Sequence, residues 1–165
     1  MSDEVVHISV RLRPFNAKEI ERKMQNGIRM NGTEVTVMFP DKPEKKYTFD
    51  SCYWSHDGDV VLKNGYRISA GNGQGSGANT YADQMLLYER IGRPMVTSAF
   101  EGINSCLFAY GQTGSGKSYS MFGYGVNSGI IPRTCEDIFK RCRAIMKGPD
   151  GDKRQFQISL QVFEV

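Results

Sequence analysis

An apolar run, Asn104-Ser105-Cys106-Leu107-Phe108-Ala109-Tyr110, leads without a break into Gly111-Gln112-Thr113-Gly114-Ser115-Gly116-Lys117-Ser118. The run reads as a buried strand. The turn meets the phosphate-binding template G-x-x-x-x-G-K-[ST] at every fixed position. Each residue type has a chemical task there. The glycines let the backbone turn tightly and aim its N–H groups at an anion. Lys117 can reach the outer phosphates of a nucleotide, and the Ser118 hydroxyl can bind Mg²⁺. A helix should open at the end of the loop, where its free N–H groups favour negative charge. An ordinary flexible glycine turn can satisfy the template by chance. The strand that feeds this one argues for nucleotide phosphate binding, and strand, loop and helix in that order predict an α/β fold.

The rest of the chain supports that class. Val6, Ile8, Val10 and Leu12 alternate with His7, Ser9, Arg11 and Arg13, a period-two strand with one apolar face that Pro14 stops. Asn16 can cap a short helix through about Met24, with Glu19 placed for a capping box. Asn31-Gly32 between two apolar stretches signals a hairpin and hence a small N-terminal β lobe. Tyr47-Thr48-Phe49 reads as the start of another strand. Residues from about 57 to 81 change in composition, and Gly71-Asn72-Gly73-Gln74-Gly75-Ser76-Gly77 is too glycine-rich for an element interior. A solvated insertion is favoured there over a specialised binding loop. Asp83 to Phe100 reads as a helix kinked at Gly92 and Pro94. The phosphate-loop helix should break across Phe122 to Gly129 and resume after Pro132. Cys135, Ile138, Phe139, Cys142, Ile145 and Met146 would then form its core face. Phe156, Ile158, Leu160 and Val162 alternate as a last strand.

Arg11 and Arg13 share one face near the carboxyl end of the first strand, where open α/β sheets bind ligands. Pro14 offers a flat apolar surface, and Tyr119 follows the phosphate loop closely enough to stack on a base. On these residues alone, a solvated strand end is an equal reading for the two arginines.

Phe108 to Met121, with its Phe-Ala-Tyr-Gly-Gln-Thr prefix and Tyr-Ser-Met suffix, closely resembles the phosphate loop of kinesin motor domains. Val10-Arg11-Leu12-Arg13-Pro14-Phe15-Asn16 resembles the first core strand of that family, and Gly129-Ile130-Ile131-Pro132-Arg133 its re-entry into helix. Phe49 to His56 is similar to the vesicle-carrying branch. The resemblance covers the chain except for residues from about 57 to 81. It implies a P-loop NTPase fold with a central, mostly parallel sheet flanked by helices. It also implies that ATP and Mg²⁺ bind, with Arg11, Pro14 and Tyr119 flanking adenine and Arg13 on the same side. The partner it implies is tubulin in microtubules, and the location is the cytoplasm and cytoskeleton. A coiled coil elsewhere in the parent protein is a further implication.

The two switch motifs of kinesins, N-x-x-S-S-R-S-H and D-L-A-G-S-E, do not occur in the 165 residues. The expectation is therefore a partial motor domain over 1–165, without the switches, without catalytic residues of its own and without the main microtubule-binding half. A non-motile nucleotide-binding module is the alternative. A GTPase is disfavoured because no N-K-x-D motif is present. The net charge of +3 is too slight to argue for nucleic acid. No apolar run approaches the ~20 residues of a membrane helix, and the polar start Met1-Ser2-Asp3-Glu4 shows no signal peptide. Cys52, Cys106, Cys135 and Cys142 form no C-x-x-C pair and read as structural thiols of a reducing compartment.

Overall fold

The computed structural model describes residues 6–71, 79–149 and 154–163. In chain order its elements are β1 (Ser9–Leu12), α1 (Ala17–Glu21), β2 (Ile28–Asn31), β3 (Glu34–Phe39), β4 (Lys42–Thr48), β5 (Ser51–Trp54), β6 (Asp59–Val61) and β7 (Arg67–Ser69). Then follow α2 (Gln84–Leu87), a π turn (Tyr88–Gly92), α3 (Arg93–Phe100), α4 (Lys117–Met121), β8 (Gly123–Tyr124), β9 (Asn127–Ser128) and α5 (Ile130–Met146).

The parallel pair β1–β5 is the centre, with Ser9 opposite Ser51 and Leu12 opposite Trp54. The two-residue period of a strand sends successive side chains to opposite faces. Val10, Leu12, Cys52 and Trp54 therefore pack with Met30 and Val35 of the meander β2–β3–β4. Tyr53 points the other way, into a second core with Ala82 and Leu87 backed by Ile91. Arg11, which pairs with Tyr53 in register, shares that second side. One strand pair thus separates an all-β lobe from a helical layer.

Local chemistry explains several boundaries. Asn16 and Glu19 form the expected capping box, the Glu19 N–H donating to Asn16 Oδ1 at 3.0 Å and the Asn16 N–H to Glu19 Oε2 at 2.8 Å. Helix α1 ends at Glu21, earlier than Met24, and Lys23 sits at φ 52° just beyond it. Gly32 takes φ 57° in the β2–β3 turn. Asp83 caps α2 by accepting the Leu86 N–H at 2.7 Å. The interruption expected at Gly92 and Pro94 is the π turn. Pro94 has no N–H for the carbonyl of Arg90, and the Arg93 N–H reaches back to Tyr88 instead. A Cβ on Gly92 would lie 2.6 Å from the Tyr88 ring, so the turn closes only over glycine.

Other expectations are corrected. Residues 103–110 form no strand, Ile103 alone bonding back to the Ser98 carbonyl at 2.9 Å; Phe108 is 77% and Tyr110 97% exposed, and Cys106 is exposed. Residues 154–163 likewise run unpaired and exposed, touching the helical layer through Phe156 against Phe100. Apolar alternation is a capacity to pair, and a strand exists only where a partner supplies the ladder. The first strand starts at Ser9, leaving Val6 and Ile8 exposed. Tyr47 and Thr48 end β4 rather than begin a strand, and β5 follows. Residues 59–69 are a hairpin rather than a solvated loop, while 72–77 of the glycine-rich stretch lie outside the described residues. Helix α5 begins at Ile130, not after Pro132, because a first-turn residue needs no intrahelical N–H. Along α5, Ile130 and Cys142 are buried and Ile138 and Ile145 half-buried, whereas Cys135, Phe139 and Met146 are exposed.

Candidate nucleotide site

The loop 111–116 turns into the five-residue helix α4 through three glycines that other residues would strain. Gly111, Gly114 and Gly116 lie at φ 148°, 80° and 94°. A Cβ on Gly111 would also meet Ser115 Oγ at 2.6 Å. Helix α4 has no side-chain cap at its start, so its first N–H groups stay available to an anion. Five residues generate little macrodipole, and those free N–H groups are the main contribution.

Lys117 folds back over its own loop. Its Nζ donates to the carbonyls of Gly111 at 2.7 Å and Gln112 at 2.9 Å. An ammonium carries three N–H donors, so one remains for an outside acceptor. Ser115 Oγ is buried with no hydrogen-bond partner, an orphaned hydroxyl at the inner wall of the loop. The uncapped N–H groups at the start of α4, a cation held over the loop and an unmatched hydroxyl together fit a polyphosphate. Gln112, Thr113 and Ser118 are exposed around this cradle. Ser118 presents an exposed hydroxyl at the start of α4, and no cluster of His, Cys, Asp or Glu that could hold a metal exists among the described residues.

The strand end meets this loop. A methyl on Gly116 would touch Arg13 Cβ at 3.7 Å, and a cleft of about 270 Å³ runs between them, lined by Arg11, Arg13, Phe15, Glu19, Gln112 and Ser115. Arg13 is held by a bidentate pair with Glu19, both N–O distances 2.7 Å. That pairing pulls the Glu19 carboxyl down to about 2 and raises Arg13. His56 braces the same corner, with Nδ1 3.1 Å from the Arg13 carbonyl and its ring edge-on to Phe15 and Trp54. Pro14 is exposed at the rim.

Arg11 serves differently from Arg13. Its Nε donates to Ser55 Oγ and one Nη to both Gln84 Oε1 and Ser120 Oγ, each at 2.9 Å, while the other Nη reaches the Ala82 carbonyl at 3.4 Å. Burial lowers its pKa against the opposing fields of Tyr81, Tyr119 and Asp83, yet a guanidinium stays charged in proteins. Its Cζ sits 5.3 Å from the centre of the half-buried Tyr119 ring. The structure therefore brings Arg11 and Arg13 to the cleft beside the loop, which neither Pro14 nor Tyr119 lines, and sets Arg11 against the Tyr119 ring.

Two residues at this site carried no signal in the sequence. Gln84, 2% exposed, bonds Arg11, the Tyr119 carbonyl and the Asn127 carbonyl. Asn127 accepts the Arg67 N–H at 2.9 Å and donates to the Gly65 carbonyl at 3.0 Å, tying the β6–β7 hairpin to β9. A glutamine on a helical turn looks solvated until its tertiary partners are known. A second cleft of about 340 Å³ lies along β5 and is lined by Asp50, Thr80, Leu86 and Arg90, away from the glycine loop.

Comparison with known proteins agrees with the geometry. The family model "Kinesin motor domain" matches residues 11–165. Kinesin-like protein KIF28 of Rattus norvegicus is 41% identical over 157 residues, which is 94% of this chain and 14% of that protein. A KIF14 structure with ADP in complex with a microtubule aligns with TM-score 0.70 and 40% identity, over 85% of this chain and 34% of that one. A KIF14 dimer with AMP-PNP in complex with a microtubule aligns with TM-score 0.70 and 39% identity, over 86% and 34%. The chain thus spans a small part of its curated relative and about a third of the solved chains.

Proposed function

This chain belongs to the kinesin motor domain family, and we propose that it holds ATP with Mg²⁺ as the nucleotide-binding part of a motor that moves along microtubules. The observation that carries the reading is the meeting of strand end and glycine loop: Arg13 lies against Gly116, with Lys117 poised over three glycines of positive φ. Gly111 to Ser118 receive the phosphates, with Lys117 on the outer ones. Ser118 holds Mg²⁺, which when bound neutralises phosphate charge. Arg11, Arg13, Pro14 and Tyr119 form the adenine side, with Arg11 also holding the Tyr119 ring from one face.

The known relatives support this assignment: the KIF14 structures contain ADP or AMP-PNP and a microtubule. Tubulin is accordingly the partner proposed for the whole protein, through residues outside 1–165, and the microtubule cytoskeleton its location. Residues 1–165 are proposed as one partial motor domain, not as two units. No described helix is long and apolar enough to cross a membrane.

Titration of the full-length protein with a fluorescent ATP analogue, followed by co-sedimentation with microtubules, tests the proposal. Saturable, Mg²⁺-dependent binding and nucleotide-sensitive sedimentation are expected. Absence of saturable nucleotide binding would overturn it.

A further inference from the structure

We propose that Gln84 is a positioning residue for the base side of the nucleotide site, setting Tyr119 and Arg11 together so that the ring is ready to stack. The inference rests on the nucleotide reading above and adds to it a residue on a different element.

The geometry fixes the Gln84 amide without ambiguity. Its Nε2 lies 2.7 Å from the Tyr119 carbonyl and 3.2 Å from the Asn127 carbonyl, and both of those can only accept. Its Oε1 lies 2.9 Å from an Arg11 Nη, which can only donate. No flipped amide satisfies these three partners. Gln84 is 2% exposed, so water cannot replace any of them.

Tyr119 needs this support because α4 is short. It has five residues and no side-chain cap, and Tyr119 is among the last four whose carbonyls lack an intrahelical partner. Gln84 takes that carbonyl. The ring itself is held from one face by Arg11, at 5.3 Å, and Arg11 is held by Gln84, Ser55 and Ser120. Backbone and ring of Tyr119 are thereby constrained by the same amide. The phosphate cradle is not: none of the hydrogen bonds of Gln84 reaches residues 111–118. The consequence is selective. Loss of Gln84 should weaken recognition of the base and leave recognition of the phosphates alone.

The test compares ATP with inorganic tripolyphosphate, which carries phosphates but no base, in the full-length protein and its Gln84→Met and Gln84→Glu variants. Methionine keeps the volume and removes all three bonds. Glutamate keeps an acceptor for Arg11 but sets a carboxylate against two carbonyls. Affinity for ATP should fall about tenfold in both, the order of one buried hydrogen-bond set, while tripolyphosphate affinity stays unchanged. Ser120→Ala, a milder change that frees the same Arg11 Nη, should shift ATP affinity in the same direction by less, and it decides the matter if the Gln84 variants fail to fold. Equal loss for both ligands would mean a general structural role and overturn the proposal, as would unchanged ATP affinity. Wild-type protein that binds tripolyphosphate but gains nothing from the base overturns this inference and leaves the phosphate-loop reading standing. Wild-type protein that binds neither ligand defeats both.

Discussion

Lys117, Arg11 and Arg13 are three cations within one site, and each is constrained by what surrounds it. Lys117 bonds only two carbonyls of its own loop, so it can be deleted without orphaning a buried group. Lys117→Ala should therefore leave the fold intact and reduce ATP affinity by roughly 2–5 kcal/mol, the cost of removing one member of a charge pair. Titration with a fluorescent ATP analogue checks it, and unchanged affinity would sink the role of the lysine. Arg13 is fixed by Glu19, whose carboxyl lies at about 2 against an ordinary 4.5. A depressed folded value means that the pair stabilises the corner above about 4.5 and that this contribution is lost as pH falls through about 2. A carboxyl titration followed by NMR should give a Glu19 midpoint near 2, moving upward in Arg13→Gln; a midpoint near 4.5 in the wild type would refute the pairing. The template residues of the loop were legible in the sequence because their spacing is local. Gln84 and Asn127 were not, because their partners lie 35 to 73 residues away along the chain for Gln84 and 60 to 62 for Asn127. The part played by Arg11 under Tyr119 was hidden for the same reason.

At the scale of elements, most patterns with local causes could be read, one was overlooked, and those needing a distant partner could not be read. The capping box of α1, the turn at Gly32 and the break at Gly92-Pro94 all follow from a few neighbouring residues. The β6–β7 hairpin has a local signal too, Asn64-Gly65 at its turn, where Gly65 takes φ 86° and the Tyr66 N–H donates to Asn64 Oδ1 at 3.0 Å. The change of composition around it hid that signal, and a side chain of β9 adds a second hold. Asn127 bridges Gly65 and Arg67, and Arg133 of α5 reaches Tyr66. Asn127→Ala should therefore loosen the hairpin: amides of 59–69 should exchange with solvent at least several-fold faster, as expected when local opening becomes easier. Unaltered protection by hydrogen exchange would show that the hairpin stands on its own strand pairing. The π turn gives a second element-scale expectation. Gly92→Ala would place a Cβ 2.6 Å from the Tyr88 ring and 3.2 Å from Ile130. Tyr88 cannot simply rotate away, since its hydroxyl donates to Asp137 at 2.6 Å and Arg141 braces that carboxylate. The substitution should cost about 1–3 kcal/mol, the usual range for overpacking, read as a lower midpoint in thermal unfolding. An unchanged midpoint would mean that the joint between the π turn and α5 is softer than its bonds imply.

Over the whole molecule, the two cores on either side of β1–β5 account for the order of the strand end and helical layer, yet they leave long apolar stretches uncovered. Phe108 and Tyr110 are 77% and 97% exposed, and Leu160, Val162 and Phe163 are each at least 80% exposed. Unpaired extended backbone carrying such side chains is a template for association. The 165 residues also contain neither of the switch motifs by which kinesins couple the γ-phosphate to movement. Hydrolysis requires groups that orient water and sense that phosphate, beyond those that hold the nucleotide. The 165-residue chain by itself should therefore bind nucleotide, self-associate, and show no stimulation of ATP turnover by microtubules. Size-exclusion chromatography with a dye for exposed apolar surface reads the self-association. A steady-state ATPase assay with and without microtubules reads the turnover. A monomer that binds no dye would mean that 103–110 and 154–163 find cover within these residues. Clear stimulation by microtubules would mean that residues 1–165 already contain a coupled hydrolytic site, and that groups other than the two switch motifs perform that work.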